Sequence, residues 1–176
     1  MSVAEVSRDR VEERLVALEE AYSGFPINQT TLAVPSDAYE RASRRCERGI
    51  VDAYVQLYND NEDVLLVDRD GEWVVPHGEP GTGERVVPGT EAAVREVTGV
   101  ECSLTELSRV TILGVRDEDD PDRPPVYRLV AVFVAETDGD GAADDAPAPD
   151  GTDDGEAGPD DVRWHPTLPE SAVPSH

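Results

Sequence analysis

Lysine is absent from this chain of 176 residues, and all 15 of its strong bases are arginine. They face 39 aspartates and glutamates, giving a formal net charge of −24 and a pI of about 4.2. A field this negative repels nucleic acid backbones and anionic membrane surfaces, and argues against both as partners. It leaves open a small anion that arrives with a metal ion, because the metal supplies local positive charge. Cysteine is scarce too. Cys46 and Cys102 are far apart, a pattern that fits neither a disulfide framework nor a zinc site. Aromatic residues are 5% of the chain, so the core must be lean and built mostly from Val, Leu and Ala. No apolar run approaches the ~18 residues of a membrane span, and the N-terminus carries no apolar leader core. The expectation is a soluble, cytoplasmic protein.

What is abundant is acid. Self-repulsion at this charge opposes compaction in dilute buffer. In molar salt the Debye length falls to about 3 Å and the penalty largely vanishes. A lysine-free surface of short acids therefore suits a salt-rich cytoplasm, and the expectation is a halophilic protein.

Periodicity divides the chain. From Ser7 to Tyr22, Val11, Leu15, Leu18 and Tyr22 recur at helical spacing between charged residues. A second short helix should follow Pro35, with Ser36 as N-cap and Arg41, Arg44 and Arg45 toward its C-terminus. These pieces form an N-terminal helical extension, 1–48, that could pair two chains into a homodimer. Ile50 to Tyr58 alternates as a strand should, and Val64 to Val67 completes a hairpin across a polar turn. Trp73 to Val75 starts a third strand, and a Gly- and Pro-rich loop runs to Gly89. Thr90 can cap a helix through Val97, ended by Gly99. Leu104 to Val115 and Val126 to Glu136 are strand-like, and Val162 to Trp164 resumes a strand. The main domain is thus 49–170, with an acidic flexible insertion at 137–161 that is too polar to bury a core, and 171–176 is a tail.

The stretch from Trp73 to Val100 reads WVVPHGEPGTGERVVPGTEAAVREVTGV. It resembles the box of the Nudix hydrolase superfamily: Gly, five residues, Glu, seven residues, then Arg-Glu, apolar, any, Glu-Glu, any, Gly, apolar. Without gaps the box begins at Gly78, places its first Glu at Glu84, its penultimate Glu at Glu96, and ends at Gly99 and Val100. The departures are chemical: the Arg-Glu pair falls on Ala92 and Ala93, and the last Glu on Val97. A gapped register instead matches Ala92 to Val97 to the family's Ala-Ala-any-Arg-Glu-apolar run and deletes three residues, including the Glu-Glu pair. Both registers keep Glu96 on a ligand position, and both lose at least two helical carboxylates. Val162-Arg163-Trp164 is similar to a late strand of many members.

The resemblance implies an α/β/α sandwich with a mixed sheet. It also implies Mg²⁺- or Mn²⁺-dependent hydrolysis of a nucleoside diphosphate linked to another moiety. Carboxylates at i, i+3 and i+4 share one helix face, where they hold a cation that neutralises phosphate and activates water. Here Glu84 and Glu96 would be the catalytic and metal-ligating residues, with Gly78 shaping the loop. Two carboxylates can serve one Mg²⁺ when phosphates supply other ligands, so activity should be weak. The alternative is a catalytically inactive domain that binds a nucleotide or a partner protein. His77, where the family has Gly, could touch phosphate or metal, or be a loop residue without a role. Trp73 and Trp164 read as core residues that could stack on a base. Acids between Asp117 and Asp122 could add a ligand if their loop closes over the site.

Overall fold

The computed structural model describes residues 3–69, 71–81, 83–137 and 162–168. The acidic segment 138–161 and the tail 171–176 lie outside them. In chain order the elements are α1 (Val3–Ala21), β1 (Ile27–Val34), α2 (Ser36–Arg48), β2 (Val51–Tyr58), β3 (Val64–Arg69), β4 (Glu72–Val74), β5 (His77–Gly78), α3 (Val86–Thr98), β6 (Cys102–Asp117), β7 (Val126–Thr137) and β8 (Val162–His165). The strands form one eight-stranded mixed sheet in the order β1-β6-β7-β2-β3-β4, with β5 added to β2 and β8 to β3. β1 runs parallel to β6 and β2 parallel to β7, while β6 and β7 are antiparallel.

The period-2 pattern of β2 decides which groups meet which layer. Val51, Ala53, Val55 and Leu57 are almost fully buried and join Leu129, Ala131, Phe133 and Ala135 of β7 in the main core. α1 and α3 cover this face. Val11 and Leu18 of α1 and Val86 and Val94 of α3 belong to the same cluster, and the Tyr22 ring is centred 5.9 Å from Phe133. The opposite face carries Asp52 and Arg128, and α2 lies over it, with Arg45 donating to Asp52 and the Cys46 sulfur accepting from Arg128. Helices on both faces of a mixed sheet make the α/β/α arrangement.

Three local outcomes differ from the sequence pattern. The segment after Pro26 is a strand: its register with β6 runs unbroken from Ile27↔Val110 to Val34↔Asp117. Nothing in INQTTLAV alternates, so its period was silent. α3 begins at Val86, four residues before the expected cap. Pro88 fits its first turn because the amide it lacks has no helical partner there. Thr90 is instead fully buried within the helix. Ser36 is helical, and its hydroxyl donates to Asp117 at 2.8 Å instead of capping α2.

The hairpin expected between β2 and β3 pairs at Tyr58↔Val64. Upstream the strands part, and β5 takes the vacated edge of β2 through Ala53↔Gly78 and Tyr54↔His77. This exchange brings the glycine loop to the centre of the sheet.

Candidate functional site

Where β5 meets β2, five charged or titratable side chains converge on the α2 face. Arg128 is 2% exposed and lies near the start of β7. Its Nε donates to Asp52 Oδ2 at 2.7 Å, its Nη2 to Asp52 Oδ1 at 3.0 Å, and its Nη1 to the Gly49 carbonyl at 3.0 Å. Arg45, in the last turn of α2, donates to Asp52 Oδ1 at 2.7 Å and to Glu79 Oε1 at 3.1 Å. His77 completes the group. Its ring lies against Tyr54, centroids 4.7 Å apart, and its buried Nε2 stands 3.5 Å from Asp52 Oδ1 without a well-formed hydrogen bond.

Burial alone would raise the Asp52 pKa. The nearby His77 imidazole, the hydrogen bonds from Arg128 and the charges of Arg128 and Arg45 outweigh it, holding the carboxyl well below the usual range. Of these, the guanidinium contacts are the short ones, so they carry most of the effect. Burial pushes the Cys46 thiol up, against the pull of Arg128, so Cys46 stays a thiol at neutral pH.

Asp52, His77 and Glu79 each offer a ligand atom within 4.8 Å of the others. Among the described residues this is the group that could hold a metal. Its chemistry fits a hard cation poorly, however. Both Asp52 oxygens already accept from guanidinium groups, and two fixed positive charges border the space. Mg²⁺ prefers an all-oxygen set, and here one of three donors is imidazole. As it stands the cluster is a charge-balanced network joining α2, β2, β5 and β7.

Glu84 and Glu96, the residues expected to ligate metal, lie outside this cluster. Glu84 is exposed in the loop before α3, and its Oε1 accepts from the Gly81 amide at 2.7 Å. Glu96 is exposed toward the C-terminal end of α3. The Glu84 side chain folds back over the start of α3, where a Cβ added at Gly89 would lie 3.6 Å from Glu84 Cδ, and Glu96 follows about two turns further along the helix. The acids of the β6–β7 connection do not turn toward α3. Asp117 and Asp119 accept from Ser36 at the start of α2, and Arg123 donates to Asp117 at 3.1 Å.

Gly78 is placed more tellingly. It is buried in β5 against α3, where an added Cβ would stand 2.8 Å from the Ala93 methyl and 3.8 Å from Thr90 Cα. The side chain at position 93 therefore looks directly onto the glycine loop. The neighbouring cleft between α1 and the start of α3, about 550 Å³, is lined by Arg10, Arg14 and Arg85 together with Glu13 and Glu84. Arg14 ties the two elements by donating to the Gly81 carbonyl at 2.9 Å. Trp164 is a core residue, as its pattern suggested. Trp73 lies on the other face, between His165 and the Arg163 guanidinium.

Asp52, Arg45 and Arg128 were not distinguished by sequence. The available signal was Arg128 itself, a single charge inside the otherwise apolar run from Leu129 to Ala135 and its preceding Val126-Tyr127. A buried arginine requires a buried partner.

No family model and no curated protein matches the chain. Among solved structures it is similar to the crystal structure of MutT protein from Methanosarcina mazei Go1. That match has 18% identity and a TM-score of 0.36, and covers 52% of this chain and 64% of the other. It is also similar to a UDP-X diphosphatase, with 16% identity and a TM-score of 0.38, covering 60% of this chain and 52% of that one. The chain spans less than two thirds of either neighbour's length, and likeness of this extent does not place it in a family.

Proposed function

We propose that this chain is a Nudix-type domain that binds a small, nucleotide-type diphosphate and has given up efficient hydrolysis. One observation carries the reading: Gly78 sits against Ala93. In the ungapped register position 93 belongs to the Glu of the family's Arg-Glu pair, and a carboxylate there would stand over the glycine loop. This chain has a methyl group instead, and Val97 stands where the box has its last Glu. The arginines of the cleft between α1 and α3 supply positive charge for phosphate oxygens in an otherwise acidic molecule. A divalent ion would enter with the phosphates it already neutralises.

A second reading, slow Mg²⁺- or Mn²⁺-dependent hydrolysis, is favoured by the box carboxylates that remain, Glu84 and Glu96. One experiment separates the two. The protein is titrated in molar KCl with ADP-ribose, dinucleoside polyphosphates and nucleoside triphosphates, with either metal present, and both heat of binding and product are measured. Saturable binding without product supports the first reading. Turnover that vanishes in Glu96→Gln supports the second. Absence of both binding and turnover across the panel rejects a nucleotide-directed role.

A further inference from the structure

Strand β1 ends the sheet, and among the described residues none pairs with its outer edge. The Pro26 carbonyl accepts from Val110 N at 3.0 Å and the Val34 carbonyl from Glu118 N at 2.8 Å. With a two-residue period, the even-numbered residues between them turn their main-chain groups toward β6. Ile27, Gln29, Thr31 and Ala33 must then present N–H and C=O outward. Their side chains are exposed as well, and Ile27 and Leu32 are 42% and 40% accessible.

Folded proteins blunt such edges with charge, internal proline, bulges or a covering segment. β1 has none of the first three. Its pairing with β6 is regular over all eight residues, and no proline falls inside it. From Ala21 to Ser36 there is no Asp, Glu, Arg or His, the longest such run in a chain of net charge −24. A second copy of this chain would be repelled by almost every other strip of surface. This neutral strip is where two copies meet at least electrostatic cost, and molar salt screens the rest.

We propose that β1 pairs antiparallel with β1 of a second copy across a two-fold axis, merging two sheets into one. Full overlap puts the axis at Thr30 and sets Ile27 opposite Ala33, and Gln29 opposite Thr31, of the second copy. That arrangement satisfies all the outward groups with about eight main-chain hydrogen bonds. The contact is isologous, so it closes at a dimer and does not propagate. The expectation of a homodimer through the N-terminal helices thus moves to the strand between them.

Sedimentation equilibrium of the full chain in molar KCl, from micromolar to hundred-micromolar concentration, should show a dimer. Thr31→Pro removes one outward amide and leaves the β6 ladder intact, so it should weaken the dimer at least tenfold with an unchanged circular dichroism spectrum. Thr30→Pro removes an amide that faces β6 and should instead lower the melting temperature. Should either variant fail to fold, amide exchange on the unmodified chain decides. Protection at Gln29, Thr31 and Ala33 must rise with protein concentration. A monomer at every concentration overturns the proposal, as does a dimer that tolerates both Gln29→Pro and Thr31→Pro. Concentration-independent protection of the odd-numbered amides overturns it too, because the edge is then covered from within the same chain.

Discussion

Replacing Arg128 by Met is the sharpest test of the buried network. Methionine keeps most of the side-chain volume and removes the guanidinium. Asp52, with a side chain only 9% accessible, then loses both bonds from Arg128 and keeps Arg45 alone. The Gly49 carbonyl loses its donor as well. Removing one partner of a buried ion pair typically costs about 3–5 kcal/mol. In a domain of this size about 2–4 °C of melting temperature corresponds to each kcal/mol, so Tm should fall by roughly 6–20 °C. Urea denaturation in molar KCl, followed by far-ultraviolet circular dichroism, gives the free energy directly. The pair Asp52→Leu and Arg128→Met together should recover part of the loss, because no charge is then left unpaired. A loss under about 1 kcal/mol for Arg128→Met alone would refute the reasoning, since Arg45 would then suffice for Asp52.

Four further outcomes follow from the same geometry. The Asp52 carboxyl is depressed in the folded state, so its contribution is full above its unfolded value near pH 3.9 and is lost as pH falls toward the folded value. The acid limb of the stability profile should therefore be shallower in Asp52→Asn than in the unmodified chain, and equal slopes would contradict the pairing. Stability should rise steeply from dilute buffer to molar KCl, and a Tm that does not move with salt would remove the case for salt adaptation. Gly78→Ala forces a methyl to 2.8 Å from Ala93 and should cost about 1–3 kcal/mol. Pairing it with Ala93→Gly should restore most of that, as read by the same urea titration. Ala93→Glu with Val97→Glu places carboxylates on the face that meets the glycine loop. It should tighten Mn²⁺ binding by at least tenfold in calorimetry, and no gain would disqualify the ungapped register.

Much of the architecture was legible before any coordinates. β2, β6, β7 and β8 announced themselves by alternating or continuous apolar residues. α1 and α2 did so by helical spacing and by Pro35. β1 was not legible, because a polar, exposed edge strand has no buried face to impose a period. β5 was hidden for a different reason. Two residues cannot show a pattern, and His77-Gly78 becomes a strand only because β3 leaves β2 after one pair.

Charge, composition and the spacing of Gly78, Glu84, Glu96 and Gly99 were properties of the chain alone, because they require no knowledge of what lies opposite. So was the absence of carboxylates at 93 and 97. Tertiary structure alone decided which groups became neighbours. Asp52 and Arg128 are 76 positions apart, and a parallel β2–β7 pair joins them. Glu84 precedes α3 in sequence, yet its side chain turns back over Gly89 in the helix. Proximity along a chain and proximity in space coincide only within a helical turn or a hairpin, and this site is built from neither.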